Sequence, residues 1–276
     1  MKIVHLSTSN FTGAFSAAFK IHNFCIDLGH HSVFHCNYSL NSSNICKNTH
    51  IQSRYLSFYN QIKTRLQKYF IFLIKSKNKE ITKYAFNQFN ENNINGINQK
   101  LVEELDNIDI LFVHWVTNYV NFYDLKKIKQ KTNCKIVFTM MDMAPITGGC
   151  HYSNDCIKFS TDCNNCIAQK NDLAKKQLKA KKEVSDFLNA EIISFSSQNY
   201  LDSLKSTVHF SKHHLLTLPY DSNIFKPLFK NQNDKEYFNV LGSAFSTLNF
   251  RKGPDLFFES LKILDKLINN KKKIKV

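Results

Sequence analysis

The sequence predicts an α/β fold of the doubly wound kind, in which helices cover a parallel sheet. The main observation is that short apolar runs of strand length alternate with longer segments of helical periodicity. Residues 3–8, 14–28 and 32–36 open the chain as strand, helix and strand, with a short loop at 9–13 before the helix. A second observation is a hydrophobic share of 43%, which allows a sizeable buried core.

The same alternation continues along the chain. Residues 40–105 look mostly helical, with polar, Asn-rich breaks near 90–98. The further predicted strands are 108–115, 135–139, 191–196, 215–218 and 237–242, and the further predicted helices are 122–131, 172–188 and 254–268.

The sequence predicts one full domain and only part of a second. Residues 1–222 hold enough strands and helices for a full Rossmann-like domain, and 223–234 read as a linker. Residues 235–276 have room for only one or two strand–helix units, which is less than a free-standing domain usually needs. We therefore expect an N-terminal domain followed by the beginning of a second Rossmann-like domain.

The chain is strongly basic. It has 37 Lys and Arg against 22 Asp and Glu, a net charge of +15. This charge favours an anionic partner, such as a phosphorylated substrate, an anionic membrane surface or nucleic acid. Nucleic acid is disfavoured because the basic residues are dispersed. Residues 63–79 mix Lys and Arg with apolar side chains and fit a helix lying on an anionic membrane, with a helix packed on the domain as the alternative.

The sequence predicts a cytoplasmic location. The first residues lack the pattern of a signal peptide, and no apolar run reaches the roughly 18 residues that a spanning helix needs. A peripheral position on the inner face of the membrane agrees with the basic stretch at 63–79. The cysteines are expected to stay reduced in that compartment.

Four cysteines lie on one polar loop at 140–170, at spacings that suit a metal. They are Cys150, Cys156, Cys163 and Cys166, and the last two form a C-x2-C pair. Four thiolates favour tetrahedral zinc with no open position, so the expected role is structural. Two disulfides, or four free thiols, are the alternatives.

Four segments together resemble a known family. They are 109–115, the box FTMMDMAPITGGCHY at 138–152, the segment 218–227 and the triplet 251–253. The chain is similar to the family 4 retaining glycosyltransferases, and within them to a bacterial subgroup of surface-polysaccharide assembly that carries an HDMWPFTGGCHY-type box and spaced cysteines. The resemblance implies a two-domain GT-B fold. It also implies transfer of a sugar from a nucleoside diphosphate sugar to a polysaccharide or lipid-linked acceptor.

The resemblance also implies roles for individual residues. Arg251 and Lys252 would bind the donor diphosphate, with a solvated basic pair as the alternative. Gly13, in the loop before the first helix, would let the backbone approach a phosphate or a sugar hydroxyl, with an ordinary tight turn as the alternative. Asp142 keeps the place of the aspartate in the box and is the expected catalytic residue. His114 and Trp115 end a predicted strand at the edge where open α/β sheets bind ligands, so they are expected in the acceptor cleft, with a core histidine at a strand end as the alternative for His114.

Two positions of the box depart from the family. Met141 stands where the family has a histidine, and Ala144 stands where it has a tryptophan. A thioether neither titrates nor donates a strong hydrogen bond. The family's carboxylate pair, Glu-x7-Glu, would lie beyond residue 276. The alternative prediction is therefore a non-catalytic, zinc-stabilised protein that binds the acceptor.

Overall fold

The structure is a computed structural model. It describes residues 1–11, 13–38, 47–48, 84–86, 91–169, 172–218, 220, 222–226, 237–242, 252–268 and 273–275. The predicted membrane stretch at 63–79, most of the region 40–105 below residue 91 and much of the predicted linker at 223–234 lie outside these residues.

Strands and helices alternate along the described chain. The strands are β1 (Lys2–Ser9), β2 (His31–Tyr38), β3 (Lys47–Asn48), β4 (Ile110–Val113), β5 (Lys135–Met140), β6 (Glu191–Ser194), β7 (Lys212–Leu215), β8 (Tyr237–Asn239) and β9 (Lys273–Lys275). The helices are α1 (Gly13–Asp27), α2 (Gln99–Glu104), α3 (Phe122–Thr132), α4 (Leu173–Leu188), α5 (Ser197–Lys205) and α6 (Pro254–Ile268).

The main sheet confirms the predicted α/β class. Its strands lie in the order β3-β2-β1-β4-β5-β6-β7, and every pairing between neighbours is parallel. The chain moves outward from β1 in one direction and from β4 in the other, and these two strands are neighbours. This reversal of strand order is the place where open α/β sheets bind ligands, outside the carboxyl ends of the strands.

The two faces of the sheet differ in chemistry. One face contributes Leu6, Val113 and Phe138, which pack in the largest apolar cluster together with side chains of α3 and α4. The other face places His5 opposite Phe34 and Phe112 in neighbouring strands. Phe34 packs in a smaller cluster with aromatic side chains of α1. His5 is therefore buried on the face that α1 covers.

Element boundaries differ from the prediction mainly where the chain is polar. Strand β7 lies at Lys212–Leu215 rather than 215–218, because its half-exposed Lys-His-His-Leu sequence is not an apolar run. Helix α5 was not predicted, although Ser196 caps it by accepting a hydrogen bond from the Asn199 backbone at 3.2 Å. The predicted helix at 254–268 is confirmed at both ends.

The chain divides into two compact units, Met1–Tyr220 and Asp221–Val276. The first contains the main sheet. In the second, β8 and β9 pair in parallel and α6 follows β8 in sequence. Within the described residues, no helix combines the length and the apolar character needed to cross a membrane.

Candidate functional site

The loops after β1, β4 and β5 meet at the carboxyl edge of the sheet. The Thr8 amide donates to the Trp115 carbonyl at 2.7 Å, and the Thr8 hydroxyl donates to the Thr117 carbonyl at 2.6 Å. These bonds tie the end of β1 to the loop after β4. His114, Trp115 and Asp142, three of the residues that sequence reasoning selected, line a common cavity at this edge.

Asp142 and His151 form a buried pair. Asp142 Oδ2 contacts His151 Nδ1, and Asp142 Oδ1 accepts a hydrogen bond from the Ala144 amide at 2.8 Å. Both side chains are almost fully buried. Because a carboxylate only accepts, His151 Nδ1 carries a proton, and in the neutral imidazole Nε2 carries the lone pair. Among the described residues His151 Nε2 has no hydrogen-bond partner, so this nitrogen is available as a proton acceptor.

Trp115 lies beside this pair. Its indole nitrogen is 3.4 Å from His151 Nδ1, but that nitrogen already donates its proton to Asp142. The contact is therefore a packing contact, with ring centroids 6.0 Å apart and the rings tilted by 51°. Trp115 is half-buried and adds an apolar aromatic surface to the edge.

The box at 138–152 folds back on itself to bring His151 to Asp142. The Met143 amide donates to the His151 carbonyl at 3.0 Å, and the His151 amide donates to the Tyr84 carbonyl at 3.2 Å. The sequence analysis did not select His151 and missed this role. The available signal was its place nine residues after Asp142 in the same box.

A buried lysine on α4 holds the loop of the box at 138–152 in place. Lys181 is 2% exposed, and its ammonium donates to the carbonyl oxygens of Ala144 at 2.6 Å and Thr147 at 3.0 Å. The ammonium also lies 5.8 Å from the centre of the Phe122 ring. These contacts compensate the cost of burying the charge and hold the loop on the helix.

The edge encloses a small cavity of about 40 Å³. Its walls include Glu91, whose Oε2 atom is buried without a hydrogen-bond partner among the described residues. Burial raises the pKa of Glu91, although Lys181 and the Phe122 amide oppose the rise. A cavity of this size holds a water molecule or one polar group of a ligand.

A chain of hydrogen bonds leads into the cavity from the interior. His5 Nδ1 lies 2.9 Å from His114 Nε2, and His114 Nδ1 lies 2.6 Å from the Thr139 hydroxyl. Burial lowers the pKa of His5 to about 2 and that of His114 to about 3, with neighbouring histidines adding to both shifts. Both rings are therefore neutral at physiological pH.

Met141 packs against apolar neighbours. It is half-buried against the cluster formed by Ala18, Phe34 and Cys36, and it also lines the cavity. The position that the resemblance assigns to a histidine thus contributes an apolar wall and no titratable group.

The zinc prediction is wrong. Among the residues that the structure describes, no group of three or more His, Cys, Asp or Glu side chains is arranged to hold a metal ion. Cys150, Cys156, Cys163 and Cys166 are free thiols near one another on the loop.

The thiols have partners other than a metal. A hydrogen bond with Cys150 lowers the pKa of Cys166 to about 6, with help from the Ala168 and Gln169 amides. Burial raises the pKa of Cys163 to about 11. The loop is ordered instead by Phe159, which is buried in the main core, and by the Thr161 and Cys163 amides, which donate to the Lys158 carbonyl. The prediction overlooked this apolar anchor.

The predicted donor-binding residues are dispersed between the two units. Gly13 begins α1, and apart from its chain neighbours and its own helix backbone no atom of the described residues lies within 4 Å of where its Cβ would be. Lys252 is exposed and belongs to the second unit. Arg251 lies outside the described residues.

Comparison with known proteins adds no relative. No protein-family model matches this chain, and no curated protein matches its sequence.

Proposed function

We propose that this chain is a glycosyltransferase of the retaining, nucleotide-sugar-dependent kind, and that the first unit supplies the acceptor side of its site. The observation that carries the proposal is the buried Asp142–His151 pair, whose Nε2 is unpartnered among the described residues, beside Trp115 at the carboxyl edge of the sheet. The resemblance of the box at 138–152 supports the same class.

The chemistry of this edge suits a saccharide. An aromatic ring stacks on the apolar face of a sugar, and Trp115 offers a half-buried indole. Polar groups that fix orientation line the same cavity, among them Thr139 and Asn121. A site of a few polar groups within an apolar wall is typical of small-molecule binding.

The pair also suits proton transfer. In the proposed reaction the acceptor hydroxyl gives its proton to His151 Nε2 while its oxygen bonds to the anomeric carbon of the donor sugar. The bond between that carbon and the diphosphate oxygen breaks, and the nucleoside diphosphate leaves. Asp142 holds the imidazole in the required tautomer and stabilises the imidazolium that forms.

Met141 favours a second candidate, a protein that binds the acceptor without transferring sugar. The thioether packs in an apolar cluster and has no proton to give. Both candidates require saccharide binding at Trp115, and they differ in turnover.

Ligand-observed saturation-transfer NMR tests the binding that both candidates share. The probes are the methyl glycosides of glucose, galactose, mannose and N-acetylglucosamine. We expect at least one probe to bind, and Trp115→Ala to weaken its binding about tenfold or more, since one stacking contact is removed. Phe187→Ala is the matched control, because Phe187 is an exposed aromatic residue on α4. Equal binding by wild type and Trp115→Ala, or no binding of any probe, contradicts the proposal.

Release of nucleoside diphosphate from nucleotide-sugars distinguishes the two candidates. A transferase that uses His151 as its proton acceptor should release nucleoside diphosphate well above the rate of His151→Ala, whereas a protein that only binds the acceptor should match that variant. Turnover well above this variant supports the transferase over the binding protein.

A further inference from the structure

The hydrogen-bond chain of His5, His114 and Thr139 crosses three neighbouring strands, β1, β4 and β5, on the face of the sheet that α1 covers. Its three side chains are at most 3% exposed. It ends at the hydroxyl of Thr139, a residue that lines the same cavity as Asp142 and Trp115.

The surroundings of His5 keep the imidazole rings of this hydrogen-bond chain neutral. The rings of Phe34 and Phe112 lie almost parallel to the His5 ring, with centroids 5.6 and 4.9 Å away. The His22 ring meets it edge-on at 5.3 Å. An apolar setting of this kind disfavours a charged imidazole, so each ring holds one proton and has one donor and one acceptor nitrogen.

Two proton arrangements are compatible with the distances. In the first, His5 Nδ1–H donates to His114 Nε2, and His114 Nδ1–H donates to the Thr139 oxygen. In the second, both bonds run the other way, and the Thr139 hydroxyl donates to His114. The arrangements differ in what is left on His5 Nε2, which is buried and has no hydrogen-bond partner among the described residues.

The first arrangement leaves a lone pair on His5 Nε2, and the second leaves an N–H. A buried N–H without a partner is the rarer and costlier state in folded proteins. Each arrangement leaves one donor without a protein partner, the His5 N–H in the second and the Thr139 O–H in the first, where the Thr139 hydroxyl accepts from His114 and keeps its own proton. The first is favoured because Thr139 lines the cavity, where water or a ligand can accept that proton. His114 is the hydrogen-bond partner found for this hydroxyl within the described residues, and Thr139 lines the cavity, so the hydroxyl proton remains available for a further acceptor there.

We propose that Thr139 is a ligand-binding residue, whose hydroxyl is fixed by His5 and His114 as a hydrogen-bond donor to a hydroxyl oxygen of a bound saccharide. This inference rests on the proposed function for its ligand and on the hydrogen-bond chain for its geometry. His114 and His5 act as positioning residues, since they reach the ligand only through Thr139.

NMR of histidine ring nitrogens tests the geometry in the free protein. In ¹⁵N-labelled wild type at pH 7, we expect both His5 and His114 to be neutral and protonated on Nδ1. Protonation on Nε2 in either ring overturns the inference. This measurement needs no variant and no ligand, so it fails or succeeds independently of the proposed function.

Two variants test the contact with the saccharide. Thr139→Val removes the hydroxyl at nearly constant size, and Thr139→Ser keeps it. With the methyl glycoside that wild type binds, we expect binding about fivefold weaker in Thr139→Val and within about twofold of wild type in Thr139→Ser. Equal binding by all three proteins overturns the inference and leaves the proposed function standing.

A further readout covers the case in which Thr139→Val fails to fold. Addition of the glycoside should shift the ring nitrogen signals of His114 in wild type and in Thr139→Ser, because a new acceptor at Thr139 polarises the hydrogen bond between Thr139 and His114. Bound glycoside without such a shift overturns the inference. Failure of wild type to bind any glycoside overturns both this inference and the proposed function.

Discussion

At the scale of single residues, the Asp142–His151 pair depends on the path of a tight loop. Gly148 lies in this loop against the first turn of α4, where a Cβ would overlap the Ala174 carbonyl oxygen and lie 2.8 Å from its carbon. Backbone atoms cannot move aside as a flexible side chain can. The loop therefore approaches the helix closely because this position has no side chain.

This close contact predicts that Gly148→Ala strongly destabilises the folded protein. We expect the free energy of unfolding to fall by about 2–3 kcal/mol, because the loop or the helix must shift to relieve the overlap. Gly13→Ala is the control, since that site is open and lies in a helix, where alanine is favoured by up to about 1 kcal/mol. Urea denaturation measures both, and equal stability of the two variants would contradict the expectation.

At the scale of elements, the beginning of α3 organises the wall of the site. Asp124 is fully buried, and its carboxylate accepts backbone hydrogen bonds from Asn121 at 2.9 Å, Ile97 at 3.0 Å and Asn98 at 3.1 Å. Asn121 completes a capping box with it. One carboxylate thus caps the helix and holds the segment that precedes α2.

This arrangement predicts that Asp124→Asn is costly. The amide presents an NH2 group where an oxygen now accepts, so at least one buried backbone donor loses its partner. We expect a loss of about 2–3 kcal/mol in the free energy of unfolding. Asp155→Asn makes the same change at an exposed position and should have little effect. The idea fails if thermal denaturation places the two variants at the same midpoint.

At the scale of the whole molecule, the neutral histidines link stability to pH. The pKa of His5 is lowered to about 2 and that of His114 to about 3, from an ordinary value of 6.5. The unfolded chain therefore takes up protons at these residues below pH 6.5, whereas the folded chain does not. Their stabilising contribution is complete above pH 6.5 and declines as the pH falls below it.

The expected slope is about 1.4 kcal/mol per pH unit for each of the two histidines below their unfolded pKa. Between pH 7.5 and pH 5 this amounts to a loss of about 3–4 kcal/mol. Urea denaturation across this range measures it. A free energy of unfolding that is constant from pH 7.5 to pH 5 would show that the two rings are not held neutral.

The core of the molecule belongs to the first unit. Every hydrophobic core side chain among the described residues lies between Ile3 and Phe210. We therefore expect a chain that ends at Tyr220 to fold by itself, with the circular dichroism spectrum of an α/β protein and a cooperative thermal transition. A non-cooperative transition in this shortened chain would mean that its core needs the second unit.

The sequence by itself determined the α/β class and most of the elements. Buried strands appear as short apolar runs and helices as apolar residues with helical periodicity, and both patterns are visible over a few residues. It also placed His114 and Trp115 at the edge of the sheet, since they end a recognisable apolar strand, whereas Asp142 was selected through the resemblance of its box. It misjudged the cysteine loop, because the residue spacing of four thiols says nothing of Phe159, which anchors the loop in the core.

Only the tertiary structure decided which of these groups meet. His5 and His114 are 109 residues apart and lie side by side because β1 pairs with β4 in the sheet. His151 reaches Asp142 because the intervening loop folds back and Lys181 holds it in place. Such contacts depend on strand order and loop path, which arise from packing between distant segments and leave no periodic signal in the chain.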